Sequence, residues 1–186
     1  MRYYFKSKTM TGFKFKQFEI HQDRCAMKVG TDGVLLGAWA PGGKRILDVG
    51  SGTGLISLMM AQRFPEAQVL GIDMDGEACE EAAENVAASP FAGSVHVSHC
   101  PLQDFLSSQP YDAIVSNPPF HQGIHTHYDA SEGLCKNAKL HLKPSGELWI
   151  VANRFLNYPV LIDQSFGQCT VKTDQQGFKV IYARAE

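Results

Sequence analysis

The stretch Arg45-Ile46-Leu47-Asp48-Val49 runs directly into Gly50-Ser51-Gly52-Thr53-Gly54, and then into Leu55–Arg63. A short apolar strand, a turn with glycine at every second position, and helix formers with apolar periodicity follow one another without a break. Glycines at such a turn let the backbone come close to a ligand, and the helix N-terminus behind them is open. The next apolar run, Gln68–Ile72, ends in Asp73, 19 residues after Gly54. An acid at that point is placed to accept hydrogen bonds from ribose hydroxyls, as in nucleotide folds generally. A glycine-rich turn alone is a weak signal, and the turn with the acid after the second strand is a stronger one.

Downstream, strands and helices keep alternating. Glu77–Ala88 is rich in Ala and Glu and ends at Ser89-Pro90, which predicts a helix. Val95–Ser98 reads as a third strand and Ala113–Ser116 as a fourth. Ser131–Leu142 reads as a helix, with Lys143-Pro144-Ser145-Gly146 as its stop. Glu147–Ala152 reads as a fifth strand, and Leu156–Phe166 as a helix interrupted by Pro159. Cys169–Lys172 and Phe178–Ala183 form a closing hairpin across Asp174–Gly177. This order predicts an α/β fold whose seven-stranded sheet is mostly parallel, with one antiparallel edge-region strand. Before it, Gly30–Gly33 precedes the apolar helical run Val34–Trp39, with Thr31 or Asp32 as N-cap. Pro41-Gly42-Gly43 then divides the chain into 1–40, a basic arm with a capping helix, and 41–186, the main α/β unit.

With 186 residues, 44% apolar and 19% charged, the chain reads as a globular protein able to bury a core without disulfides. No apolar run reaches membrane-spanning length and no signal-peptide pattern follows Met1. Its five cysteines are widely spaced, which reads as reduced thiols and a cytoplasmic location. The net charge of −2 hides an asymmetry. Arg2, Lys6, Lys8, Lys14, Lys16, Arg24 and Lys28 face only Glu19 and Asp23, so residues 1–28 carry +5 and the remainder −7. Six aromatics (Tyr3, Tyr4, Phe5, Phe13, Phe15, Phe18) are interleaved with those cations. Such a surface suits phosphate contact and base stacking. A solubilising tail with one edge strand over Gly12–Glu19 is the alternative.

The run Tyr111–Ser116 ends in Asn117-Pro118-Pro119-Phe120. Two prolines remove two backbone donors and fix two φ angles, so the carbonyls there stay rigid and unpaired. With the Asn117 amide and the Phe120 ring, they form an acceptor-lined slot for a flat group bearing an NH2. A proline-stiffened loop is the plain alternative. His121, His125 and His127 follow closely, but no Cys or Glu is spaced to complete a metal site. We expect no metal and a lid loop contacting substrate there.

The glycine turn, Asp73 and Asn117–Phe120 together resemble the class I S-adenosylmethionine-dependent methyltransferases that act on exocyclic or amide nitrogens, a Rossmann-like fold. Phe13–Phe18, Asp23–Gly33, Leu35–Ala40, Ser89-Pro90-Phe91 and Cys100-Pro101 resemble bacterial tRNA adenine-N6 methyltransferases of valine tRNA, through residues 1–119. Asn117–Gly123, Gly146–Asn153, Phe166-Gly167 and Phe178–Val180 resemble the catalytic domain of small-subunit rRNA guanine-N2 methyltransferases, over 117–186. This division reads as a composite chain, engineered or a natural mosaic, with its seam at the shared Ser116–Phe120.

The resemblance implies S-adenosyl-L-methionine as cofactor and RNA, tRNA or small-subunit rRNA, as partner. It implies that Asp48, Gly50, Ser51, Gly52 and Gly54 line the cofactor, Asp73 its ribose and Asp104 its adenine. Thr31 and Asp32 would close over the methionine end, and Asn117 would also contact the cofactor. Asn117, Pro118, Pro119 and Phe120 would be the catalytic slot, and Lys6, Lys8, Lys14, Lys16, Arg24, Lys28 and His121 the RNA-facing residues. Asp104 reads equally well as a surface or capping acid. Adenine N6 of tRNA is placed first because that likeness covers more of the chain. Guanine N2 of rRNA, an inactive cofactor-binding mosaic and a protein glutamine methyltransferase stand beside it. Neither membrane association nor oligomeric state is indicated.

Overall fold

The computed structural model describes residues 12–119 and 124–186, with backbone alone for 124–130. The basic arm up to Thr11, with Lys6 and Lys8, and the segment Phe120–Gly123, with His121, lie outside the described residues.

A sheet of seven strands forms the centre: β3 (Arg45–Val49), β4 (Gln68–Asp73), β5 (Val95–His99), β6 (Tyr111–Ser116), β7 (Leu142–Asn153), β8 (Thr170–Gln175) and β9 (Phe178–Arg184). Their spatial order is β5-β4-β3-β6-β7-β9-β8. β3 to β7 are parallel, and β9 runs antiparallel between β7 and β8. The expected mostly parallel α/β sheet with one antiparallel strand near its edge is what the chain forms.

The strands bury both faces by simple alternation. Ile46, Val69, Val95, Val115, Trp149 and Val180 join one apolar cluster with α1 (Thr31–Trp39), α2 (Leu55–Arg63) and Val86 of α3 (Gly76–Ala87). Leu47, Ile72, Ile114, Leu148, Ile150 and Ile181 join the opposite cluster with α4 (Ile124–His141) and α5 (Tyr158–Phe166). The order in which strands are added reverses between β3 and β6, since β4 and β5 lie to one side and β7 to the other. A crevice opens at the carboxyl ends of strands at such a reversal.

Several local expectations change. The edge strand over Gly12–Glu19 is instead a small hairpin of β1 (Gly12–Lys14) and β2 (Glu19–His21), separate from the main sheet. Helix α1 starts at Thr31, so the N-cap is Gly30, which has no side chain to cap with, and Thr31 and Asp32 lie in the first turn. Pro159 sits in the first turn of α5, where its missing N–H costs no helical bond, so it begins the helix and does not interrupt it. Lys143–Gly146 are drawn into β7, with a register shift opposite Tyr111–Ala113 and Ser145 at φ 63°. The terminal hairpin closes through the two residues Gln176-Gly177, both at positive φ, a tighter turn than the span 174–177. His125 and His127 fall in the first turns of α4 and not in a loop, and their side chains lie outside the described residues.

Residues 22–30 form a strap between β2 and α1, held by two buried polar side chains of α3. Glu81, 2% exposed, accepts from the backbone N–H of Asp23 (2.7 Å), Arg24 (3.1 Å) and Cys25 (2.9 Å). Asn85 receives the His21 N–H at 2.9 Å and returns its amide to the His21 and Thr53 carbonyls, each at 2.9 Å. Losing one side chain here orphans several buried donors at once. Glu81→Ala is expected to lower the unfolding free energy by about 2 kcal/mol or more in urea titration. A change near zero would mean that the strap contributes nothing to stability.

Candidate active site

The strap, the glycine turn and the end of β6 enclose a cavity of about 530 Å³. Its walls come from Cys25–Gly30, Asp32-Gly33, Val49–Thr53, Ile72–Asp75, Cys100–Gln103 and Ser116–Pro119, with Asn137 and Tyr158 from the far face. The β3–β6 register pairs Val49 with Ser116, and Ser116 Oγ donates to the Val49 carbonyl at 2.8 Å. The glycine turn and the Asn-Pro-Pro stretch thus leave the sheet side by side.

Three glycines of the turn have positive φ: Gly50 at 72°, Gly52 at 51° and Gly54 at 84°. Other residues adopt this conformation at a cost, which explains the alternation in the sequence. The Gly50 and Ser51 N–H groups donate to the Ile72 carbonyl at 2.8 and 3.0 Å, and Gly52 N–H donates to Asp73 Oδ2 at 2.8 Å. Asp73 Oδ1 accepts from Asp75 N–H at 2.9 Å. Each carboxylate oxygen keeps further acceptor capacity at the cavity wall.

Asp48 lies behind the turn. It is fully buried and does not line the cavity. Ser57 donates to its Oδ2 from N–H at 3.0 Å and from Oγ at 2.7 Å, and its Oδ1 has no partner. Burial pushes its carboxyl up to about 7, against the opposing pull of the Ser57 bonds. At the end of β6, Asn117 is 8% exposed. Its Nδ2 donates to Asp32 Oδ2 at 3.0 Å, and its buried Oδ1 has no partner among the described residues. Pro118 and Pro119 line the cavity beside it.

Of the residues singled out in the sequence, Lys28, Asp32, Gly50, Ser51, Gly52, Asp73, Asn117, Pro118 and Pro119 meet on the cavity wall. Thr31 and Gly54 stand just outside it. Asp104 is exposed at the end of a single 3-10 turn over Leu102–Asp104, where Gln103 reaches the wall instead. Arg24 pairs with Glu84 at 2.5 Å and Glu80 at 3.5 Å, and Lys28 Nζ donates to the Gln22 and Cys25 carbonyls, so both cations also secure the strap. Lys14 and Lys16 lie in the β1–β2 hairpin region and do not line the cavity. Sequence reasoning missed Cys25, Met27 and Val29 as cavity walls and Glu81 and Asn85 as their anchors. No local pattern marks those two α3 residues, beyond a polar residue on an otherwise buried helical face.

Among the described residues, no group of three or more His, Cys, Asp or Glu is placed to hold a metal, and no helix is long and apolar enough to cross a membrane.

Residues 30–182 match the family model for the methyltransferase small domain. The chain belongs to that family. Among curated members, the ribosomal RNA small subunit methyltransferase C of Acinetobacter baylyi is 54% identical over 141 residues, 76% of this chain and 42% of its own length. The tRNA1(Val) (adenine(37)-N6)-methyltransferase of Aeromonas hydrophila is 48% identical over 130 residues, 68% of this chain and 55% of its own. This chain therefore spans about half the length of the relatives it matches. A 141-residue match cannot fit within 117–186, so the likeness to the rRNA enzymes extends to the N-terminal side of Asn117. It overlaps the likeness to the tRNA enzymes.

Among solved structures, the 16S rRNA methyltransferase of T. thermophilus, in complex with AdoMet and guanosine, superposes with a TM-score of 0.77. That match is 24% identical and covers 95% of this chain and 50% of that one. TrmN from Thermus thermophilus superposes with a TM-score of 0.64 at 21% identity, over 82% of this chain and 48% of that one. These two comparisons concern the fold.

The Asp48 carboxyl makes a pH test of the site possible. Its folded value lies above the ordinary 3.8, so from about pH 4 to about pH 7 the folded state keeps a proton that the unfolded chain has lost. Stability therefore falls as pH rises through that window and levels off above it. The span corresponds to roughly 4 kcal/mol as an upper figure. Asp48→Asn removes this titration, and urea melts from pH 4 to pH 8 are expected to decline less in the variant than in the parent. Parallel pH profiles would count against a protonated Asp48.

Proposed function

We propose that this protein transfers a methyl group from S-adenosylmethionine to the exocyclic amino nitrogen of a purine in RNA. The observation that carries this reading is Asn117, which lines the cavity beside the glycine turn and whose buried Oδ1 has no partner among the described residues. A buried acceptor without a donor is costly in a folded protein and marks a place where a ligand N–H belongs.

The residues present fit the cofactor. Gly50 has open space where a Cβ would stand, so backbone can lie close to an adenosyl group. Asp73 offers its remaining acceptor capacity to ribose hydroxyls, and Cys100–Gln103 provide a wall for the adenine. Ser51 Oγ, buried without a partner among the described residues, is a further group awaiting a ligand atom. When bound, the sulfonium supplies an electrophilic methyl.

The protein's own work is positioning. The lone pair of an aromatic amine is delocalised into its ring, so the amine attacks poorly until its nitrogen is drawn toward a pyramidal shape. Asn117 Oδ1 accepts one N–H of the target, the Pro118 carbonyl accepts the other, and Phe120 stacks on the base. Fixed acceptors of this kind stabilise the positive charge that develops on nitrogen, and the proton passes to solvent afterwards. The target must be unstacked to reach them. Lys6, Lys8, Lys14 and Lys16, with Arg24, Lys28 and His121, supply the surface for phosphates. The division at residue 40 gives that arm its own role, beside a catalytic unit over 41–186 in the cytoplasm.

Two bases are compatible with this slot. Guanine N2 of small-subunit rRNA is one, and a relative 54% identical over 76% of this chain is named for small-subunit ribosomal RNA. Adenine N6 of tRNA is supported by relatives 48–57% identical over 113 to 130 residues. Incubation with total RNA and S-adenosylmethionine, followed by digestion and nucleoside mass analysis, is expected to yield N2-methylguanosine or N6-methyladenosine. Label appearing in protein glutamine, with none in RNA, would overturn the RNA reading. Asn117→Ala is expected to lower turnover by ~10²–10³ with little change in cofactor affinity by calorimetry. Unchanged turnover would remove Asn117 from the slot.

A further inference from the structure

The side-chain amide of Asn117 is useful only one way round. With Oδ1 toward the cavity it accepts an amine N–H, and with Nδ2 there it would repel the same group. Nothing in the Asn-Pro-Pro stretch itself fixes that choice, since an amide turned by 180° fills almost the same space. The determinant comes from 85 residues earlier in the chain. Asp32 Oδ2 lies 3.0 Å from Asn117 Nδ2, while Asp32 Oδ1 accepts from Gly33 N–H at 2.8 Å. A carboxylate only accepts, so the turned amide would place oxygen against oxygen. The approach depends on Gly33, where a Cβ would stand 3.1 Å from Leu55 Cδ2 and 3.8 Å from Asn117 Nδ2.

We infer that Asp32 is a positioning residue for the methyl-transfer reaction, which orients and polarises the Asn117 amide through its Nδ2 and so leaves Oδ1 as the acceptor for the target amine. This rests on the reading of Asn117 given above, and it assigns Asp32 a role toward the substrate amide in place of direct contact with the cofactor. An N–H given to a negative group strengthens the acceptor at the other end of the same amide, because charge shifts through the conjugated N–C–O unit. The contribution grows as positive charge develops on the attacking nitrogen, so it belongs to turnover more than to binding.

Two variants separate orientation from charge. Asp32→Ala removes both and is expected to lower kcat by ~10²-fold. Asp32→Asn can still accept from Asn117 Nδ2 through its own oxygen, and is expected to lose about tenfold. Calorimetric affinity for S-adenosylhomocysteine is expected to stay near that of the parent in both. The deciding measurement is a double-mutant cycle in which Asp32→Ala in the Asn117→Ala background costs nothing further. Additive losses, or a cofactor affinity that collapses while kcat holds, would overturn the inference.

A second readout needs neither cofactor nor RNA. In the free protein, the Asn117 side-chain amide protons are expected to exchange with solvent more slowly than in Asp32→Ala, as followed by NMR. Equal exchange would also overturn it. If the parent protein methylates no RNA, the functional reading falls, and the exchange measurement still decides whether Asp32 holds the amide.

Discussion

The parallel pairing of β3 with β6 is the constraint from which the site follows. Each strand ends in a segment unable to continue a ladder: glycines at positive φ after Val49, and two prolines after Asn117. Because the register sets Val49 opposite Ser116, these two irregular segments emerge as neighbours. Because β4 and β7 lie on opposite sides of this pair, a crevice opens between the two segments. Strand pairing, a matter of backbone hydrogen bonds and apolar alternation, thereby brings together groups that are 67 residues apart.

The sheet alone makes an open crevice, and the N-terminal segment converts it into a cavity. That strap brings few apolar anchors of its own besides Cys25, Met27 and Val29, which face inward. Its attachment is polar, through Glu81 and Asn85, and it is sheltered enough for such bonds to count. Phe18 and Ile20 of the adjoining hairpin and Leu36 of α1 bury themselves in the same apolar cluster as α2, and so hold the strap at both ends. Residues 18–40 therefore contribute to the same core as the sheet.

The sequence made legible what is local or periodic. Alternating strands and helices, the Gly50–Gly54 turn, Asp73 at the end of β4 and the rigid end of β6 each declare themselves within a dozen residues. Pro159 and Gln176-Gly177 were misplaced by a few residues because a proline is equally at home in the first turn of a helix, and because two residues suffice for a turn at positive φ. The clamp by Glu81 and Asn85, the Asp32–Asn117 bond and the absence of Asp104 from the cavity wall were illegible for another reason. Each depends on contacts between residues distant along the chain, or on which residue of a short exposed turn borders the cavity, here Gln103 and not Asp104. A pattern of residue types carries no record of either.

The clamp on the strap has a consequence for how this segment can vary. Glu81 recognises the peptide groups of residues 23 to 25 and none of their side chains, and Asn85 likewise grips the main chain of His21. Recognition of that kind is indifferent to side-chain identity and intolerant of imino acids. Gln22, Arg24 and Lys28 add side-chain bonds of their own, so a change elsewhere on the strap leaves its path over the cavity as the main chain sets it.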